Sequence, residues 1–137
     1  MSEQRKTTGG WPFRTMPGGT FPENRILLID PDRDSAEAEA LLLTRLGQNV
    51  EYAHDAAAAL ELAAEFRPQL VLLDPRLRDA DGADLVQRLR KVPGLQDARI
   101  IAYAGLSAEE PTAFDGFDDF IDKPVRLSRL VGILQGM

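Results

Sequence analysis

The sequence predicts an α/β fold: a doubly wound, five-stranded parallel sheet of order 2-1-3-4-5, with helices on both faces. Three observations predict it. Short apolar runs recur at 26–29, 70–73 and 100–103, as strands buried on both faces require. Segments of helical period lie between them. Strand and helix alternate about every 20–25 residues, the pattern of right-handed βαβ crossovers.

Each element has its own signal. Residues 1–24 carry Gly9, Gly10, Pro12, Pro17, Gly18, Gly19 and Pro22 and read as a flexible tail. Trp11, Phe13, Met16 and Phe21 are unusual in a plain linker: they either dock on the domain or a partner, or are incidental apolar residues of the tail. One domain is expected over 25–137. Ile26 to Ile29 form its first strand. Asp34 is placed to cap the first helix, with Glu37 completing a capping box. Ala38, Leu42 and Leu46 recur along that helix, and Gly47 ends it. Val50 to Ala53 alternate, as a half-exposed edge strand does. Asp55 caps an Ala-rich second helix whose Ala56, Leu60, Ala63 and Ala64 share a face. Leu70 to Leu73 are the third strand, and Leu85, Leu89 and Val92 mark the third helix. After Ile100 to Tyr103, Ser107 and Glu110 form a second capping box. Pro111 and Gly116 then predict a shortened fourth helix. Phe117 to Ile121 are a weaker fifth strand. Leu127, Leu130, Val131 and Leu134 mark the last helix.

Composition narrows the function classes. The chain has 137 residues, 22 acidic and 16 basic, and no cysteine. Disulfides and thiolate metal sites are excluded. A net charge of −6, with no basic stripe, argues against nucleic acid as a partner. No apolar run approaches the ~20 residues that span a bilayer, and the N-terminus lacks a signal-peptide core. A cytoplasmic protein without a membrane partner is expected. His54 is the single histidine, so no Ser-His-Asp set is credible, and it reads as a surface loop residue. Asp115, Asp118, Asp119 and Asp122 have the wrong spacing for an EF-hand and read as a solvated acidic rim.

Doubly wound sheets carry their sites at the carboxyl ends of the strands. Asp30 ends the first strand, Asp74 ends the third, and Lys123 follows the fifth. Taken singly, each has a bland reading as a turn or cap residue. In a sheet of order 2-1-3-4-5 the three converge. Two carboxylates and a lysine suit a divalent cation and a phosphoryl group, and aspartate is a known type of phosphoryl acceptor.

These pieces, from Arg25–Asp30, Leu70–Asp74, Asp81-Gly82 and Ile100–Gly105 to Asp118–Pro124, resemble the receiver domain of response regulators in two-component signalling, with its CheY-like, flavodoxin-type fold. The resemblance covers about residues 25–136. It implies that Asp74 is the phosphoacceptor and that Lys123 and Gly105 contact the phosphoryl group. It makes Ala104 and Phe120 the switch positions. It assigns Mg²⁺ to Asp30, Asp74 and the backbone carbonyl of Arg76, with Asp32 as a further candidate. It implies no enzyme. The phosphodonor would be a histidine kinase or phosphotransfer protein. Output would be a contact with an unknown downstream protein, and a homodimer through the helix 4, strand 5 and helix 5 surface is compatible.

The chain also departs from the family pattern. Pro31 stands where a second acid usually ligates the metal. Ala104 stands where a Thr or Ser hydroxyl usually meets a phosphoryl oxygen; a methyl cannot donate that bond. Arg78 replaces the family's proline, while Pro75 follows Asp74 directly. Two readings therefore stand. One is a single-domain receiver that accepts a phosphoryl group on Asp74. The other is a phosphorylation-independent pseudo-receiver that acts as an interaction module. A hydrolase of the aspartyl-phosphate type is disfavoured, because Arg76 occupies the place of its second aspartate.

Overall fold

A computed structural model describes residues 22–105 and 116–137. Five parallel strands form one sheet in the order β2-β1-β3-β4-β5. They are β1 (Arg25–Ile29), β2 (Asn49–Ala53), β3 (Leu70–Leu73), β4 (Arg99–Ala104) and β5 (Asp119–Asp122). The described helices are α1 (Arg33–Arg45), α2 (Ala56–Phe66), α3 (Gly82–Arg90) and α4 (Leu127–Gln135). The expected tail (to residue 21) and the shortened helix between Ser107 and Gly116 (its residues 106–115) lie outside the described residues.

The strand period of two sorts the core into two layers. Leu27, Ile29, Val71, Leu73 and Ile100 face α2 and α3, against Ala59, Ala63, Leu85 and Leu89. Ile26, Leu28, Leu70, Leu72, Ile101 and Tyr103 face α1 and α4, against Leu43, Leu46, Leu130 and Leu134. Small alanines let α2 lie close on the sheet. Counting on by two from Leu28 and Leu72 places Asp30 and Asp74 on the α1/α4 side, the side of Tyr103.

Several local expectations need correction. The cap of α1 is Asp32, whose side chain accepts from the Asp34 N–H, so Asp34 lies inside the first turn. The buried stripe of α1 is Ala36, Glu39 and Leu43, and Ala38 is exposed. A glutamate on that stripe breaks the apolar period that would have revealed it. Leu127 is exposed, and Leu130, Ile133 and Leu134 hold α4 to the sheet. The fifth strand starts at Asp119. Asp55 does cap α2, accepting from the Ala58 N–H. Gly47, just past α1, has a φ of 85°, a left-handed turn that glycine enters without penalty.

The amino ends of the strands are closed by neutral amides. The Gln48 side chain accepts from the Asn24 N–H at 2.9 Å and from its Nδ2 at 3.2 Å, and donates to the Pro22 carbonyl at 2.9 Å. Asn24, on the tail side of the sequence boundary, is thus buried and tied into the fold. Gln69 likewise accepts from the Arg25 N–H at 2.9 Å.

Candidate functional site

Backbone bonds fix the three charged residues at the opposite end. The Asp30 N–H donates to the Ala53 carbonyl at 2.9 Å and the Asp74 N–H to the Ile29 carbonyl at 2.8 Å. The Lys123 N–H donates to the Ala104 carbonyl at 3.0 Å. Each residue therefore extends its ladder by one rung, and its side chain leaves the sheet at a set angle. His54, expected as a plain loop residue, places Nδ1 2.9 Å from the Asp30 carbonyl and supports that end of β1.

The side chains converge. Lys123 Nζ donates to Asp30 Oδ2 and to Asp74 Oδ2, both at 2.7 Å. Asp30 is 1% exposed and Asp74 2%, so a cation is needed to hold two buried carboxylates side by side. Burial alone would lower the Lys123 pKa; the bonds to Asp30 and Asp74, with their charges, outweigh it and raise it. The ammonium also lies 4.9 Å from the centroid of the Tyr103 ring, within range of a cation–π attraction.

Arg76 adds a second cation. Its N–H donates to Asp74 Oδ1 at 2.9 Å, and its Nε lies 3.4 Å from the same oxygen. A Cβ built on Gly105 would lie 3.6 Å from Arg76 Nη2, so the guanidinium reaches across Asp74 towards the end of β4. The resemblance assigns Arg76 only a backbone carbonyl; the side chain is the part it missed. An open cleft of about 600 Å³ lies over Asp74, lined by Pro31, Asp32, Arg33, Arg76, Arg78 and Lys123 as well. Among its seven lining residues are four cations, Arg33, Arg76, Arg78 and Lys123, and two acids, Asp32 and Asp74.

The other expected positions are placed as follows. Ala104 is buried at the end of β4 and Gly105 follows it. Phe120 sits on β5 in register with Ala102. Asp32 is engaged as the α1 cap. The Asp74 loop is shaped by Gly82: a Cβ there would meet Pro75 Cβ at 2.7 Å and its Cα at 2.9 Å. Only glycine lets α3 begin that close to the residue after Asp74. Of the expected acidic rim, Asp115 lies outside the described residues, and Asp118 and Asp119 are pinned rather than merely solvated. Asp118 bonds the Ile100 N–H and Arg90, and Asp119 pairs with Arg129 and Arg99.

Below the cleft lies a buried pair that sequence reasoning overlooked. Glu39 is 8% exposed, and its Oε1 has no hydrogen-bond partner. Burial raises its pKa; the Tyr103 hydroxyl and the Lys123 charge pull the other way. The Tyr103 pKa is raised too, by burial first and then by the charge of Glu39.

The donors present do not fit a magnesium ion. Mg²⁺ wants near-octahedral oxygens at short range, usually with carboxylates and waters. Pro31 contributes no side-chain donor, and Asp32 is turned to the α1 cap. Asp30 Oδ1 accepts the Asp32 N–H at 2.8 Å, Asp74 Oδ1 accepts from Arg76, and both Oδ2 atoms accept from Lys123. Among the described residues no three His, Cys, Asp or Glu side chains gather as a metal site. A dication would also have to sit against the Arg76 guanidinium.

Comparisons with known proteins agree with this fold. A family model, the response regulator receiver domain, matches residues 26–135. The response regulator MprA of Mycobacterium ulcerans is 31% identical over 114 residues, covering 82% of this chain and 49% of its own. The chain spans about half the length of the curated relatives it matches. A CheY-like receiver domain from Methylobacillus flagellatus superposes with a TM-score of 0.75 at 27% identity, over 84% of this chain and 98% of its own. The receiver domain of a sensor histidine kinase from Pseudomonas aeruginosa, solved with a magnesium ion coordinated in its active-site cleft, superposes with a TM-score of 0.70 at 23% identity, over 85% and 100%. No helix among the described residues is long and apolar enough to cross a membrane.

Proposed function

From the premise that the chain belongs to the response regulator receiver family of two-component signalling, we propose that it accepts a phosphoryl group on Asp74 from a histidine kinase or phosphotransfer protein in the cytoplasm. Its output is then a contact with a downstream protein. The observation that carries this reading is the lysine bridge: Lys123 Nζ at 2.7 Å from both Asp30 and Asp74, three elements meeting at one strand end. Asp74 offers the nucleophilic oxygen at the cleft floor. Lys123 neutralises charge on the incoming phosphoryl oxygens and can exchange one carboxylate for them. Asp30 keeps Lys123 in place.

A specific observation favours a second reading, the pseudo-receiver. Ala104 is fully buried where a hydroxyl would couple the phosphoryl group to the rest of the domain, and Asp32 is committed to the α1 cap. In that reading the same surfaces bind a partner whatever the state of Asp74.

One experiment separates the two. The protein is incubated with excess acetyl phosphate, with and without Mg²⁺, and followed by intact mass. A phosphoryl gain that disappears in Asp74→Asn is expected. No gain under either condition overturns acceptance on Asp74 and leaves the pseudo-receiver.

A further inference from the structure

We propose that the cleft over Asp74 is an oxyanion site that works without a metal, with the Arg76 guanidinium holding the phosphoryl oxygens. This rests on the reading of Asp74 as acceptor and deepens it.

The charge inventory carries the argument. Asp74 is paired on both oxygens with cationic side chains, Lys123 on Oδ2 and Arg76 on Oδ1. Arg33 and Arg78 line the same opening. Asp32 lends one oxygen to the α1 cap, and among the lining residues four cations outnumber the two acids where a metal site needs to be acidic. A tetrahedral oxyanion suits that rim as well as a dication does not. Guanidinium groups present planar paired N–H donors that match phosphoryl oxygens, and they stay charged at any working pH. Arg76 is also the group with freedom to serve. Its side chain is 51% exposed and its tip reaches past Asp74 towards Gly105. That region is where Ala104 supplies no hydroxyl. One arginine thus stands in for two missing contributions, cation and hydrogen-bond donor.

The step balances without a metal. An Asp74 carboxylate oxygen forms the new O–P bond as the P–O bond to the acyl leaving group breaks. With acetyl phosphate, acetate leaves with the electron pair, and no proton need move at Asp74. Lys123 and Arg76 move from the carboxylate to the phosphoryl oxygens as negative charge passes to them.

The test uses the whole chain, acetyl phosphate and intact mass, in EDTA and in Mg²⁺. Wild type should gain the phosphoryl mass in EDTA at a rate within a few-fold of that in Mg²⁺. Arg76→Gln should lower the EDTA rate by about tenfold or more, as loss of a bond to a charged group does, while Arg76→Lys recovers part of it. Gain in Mg²⁺ with none in EDTA overturns the inference and leaves the receiver reading standing. An EDTA rate unchanged in Arg76→Gln also overturns it. No gain in either condition removes acceptance on Asp74, and a second measurement then decides the site alone. Inorganic phosphate is titrated in EDTA and the Gly105 amide resonance followed. A shift that Arg76→Gln abolishes upholds the oxyanion site, and no shift overturns it.

Discussion

The two ends of the sheet solve one problem in opposite ways. At both, strand ends leave polar groups that must be satisfied as they enter a buried layer. The amino end uses neutral amides: Gln48 and Gln69 bond the Asn24 and Arg25 N–H groups. The carboxyl end uses charges: Asp30, Asp74 and Lys123 satisfy one another. A neutral amide has no competitor and can stay where it is. A charged triad stays only until another ion offers Lys123 a partner. The first arrangement is for holding, the second for exchange.

Removing the cation should give the largest effect. Lys123→Met leaves Asp30 and Asp74 adjacent and buried, and breaking such a set costs about 3–5 kcal/mol, read as a fall in the urea midpoint at neutral pH. The wild-type bridge has its own pH limit. Because the Lys123 pKa is raised in the folded state, its contribution is intact at neutral pH and is lost as pH rises through the raised value.

Gln48→Ala comes next, at the other end. It strands the Asn24 N–H and amide, a loss of about 1–3 kcal/mol. Phosphoryl uptake by the folded fraction should not change. If uptake falls with stability, the two ends are coupled and the division between holding and exchange fails.

Gly82→Ala is smaller in stability and larger in consequence for the site. Alanine gains up to ~1 kcal/mol of helix propensity, but a clash with Pro75 at 2.7 Å costs about 1–3 kcal/mol as overpacking. The clash wins, and relief must move the residue beside Asp74. A net loss near ~1 kcal/mol with slower acetyl-phosphate uptake is expected.

The smallest effect is a slope. Burial raises the Glu39 pKa in the fold, so the folded state binds its proton more tightly than the unfolded chain does. Stability from this group is complete below the ordinary glutamate range and declines as pH rises through the raised value. Glu39→Gln should flatten that decline in urea midpoints taken from acidic to neutral pH. A slope that persists assigns it to another group.

Much of the fold was legible because burial on both faces writes itself plainly. Ile26–Ile29 and Leu70–Leu73 have no polar letter to dilute the signal. The strand-end triad followed from topology, since order 2-1-3-4-5 brings β1, β3 and β5 ends to one cleft rim. The face of α1 was misread because Glu39 occupies a buried rung, and a periodicity count treats it as solvent-facing. β5 starts two residues later than expected: Asp118, just before it, bonds Arg90 of α3, and Asp119, its first residue, pairs with Arg129 of α4 and Arg99 of β4, contacts that no local pattern records. Arg76 was half-read for a similar reason. Its position in the chain is visible, but the direction of its guanidinium depends on a turn set by Pro75 packing on Gly82.

The ring beneath Lys123 gives the molecule a gauge of its own. The Lys123 ammonium is held 4.9 Å from the Tyr103 ring centroid, so the protons of the methylene bonded to it are expected to feel that ring's magnetic shielding and to resonate upfield of an ordinary lysine. When an oxyanion draws the ammonium outward, the shielding fades with distance. The position of one methylene signal therefore reads out whether the bridge is closed or open, with no label added and no need to trap the product.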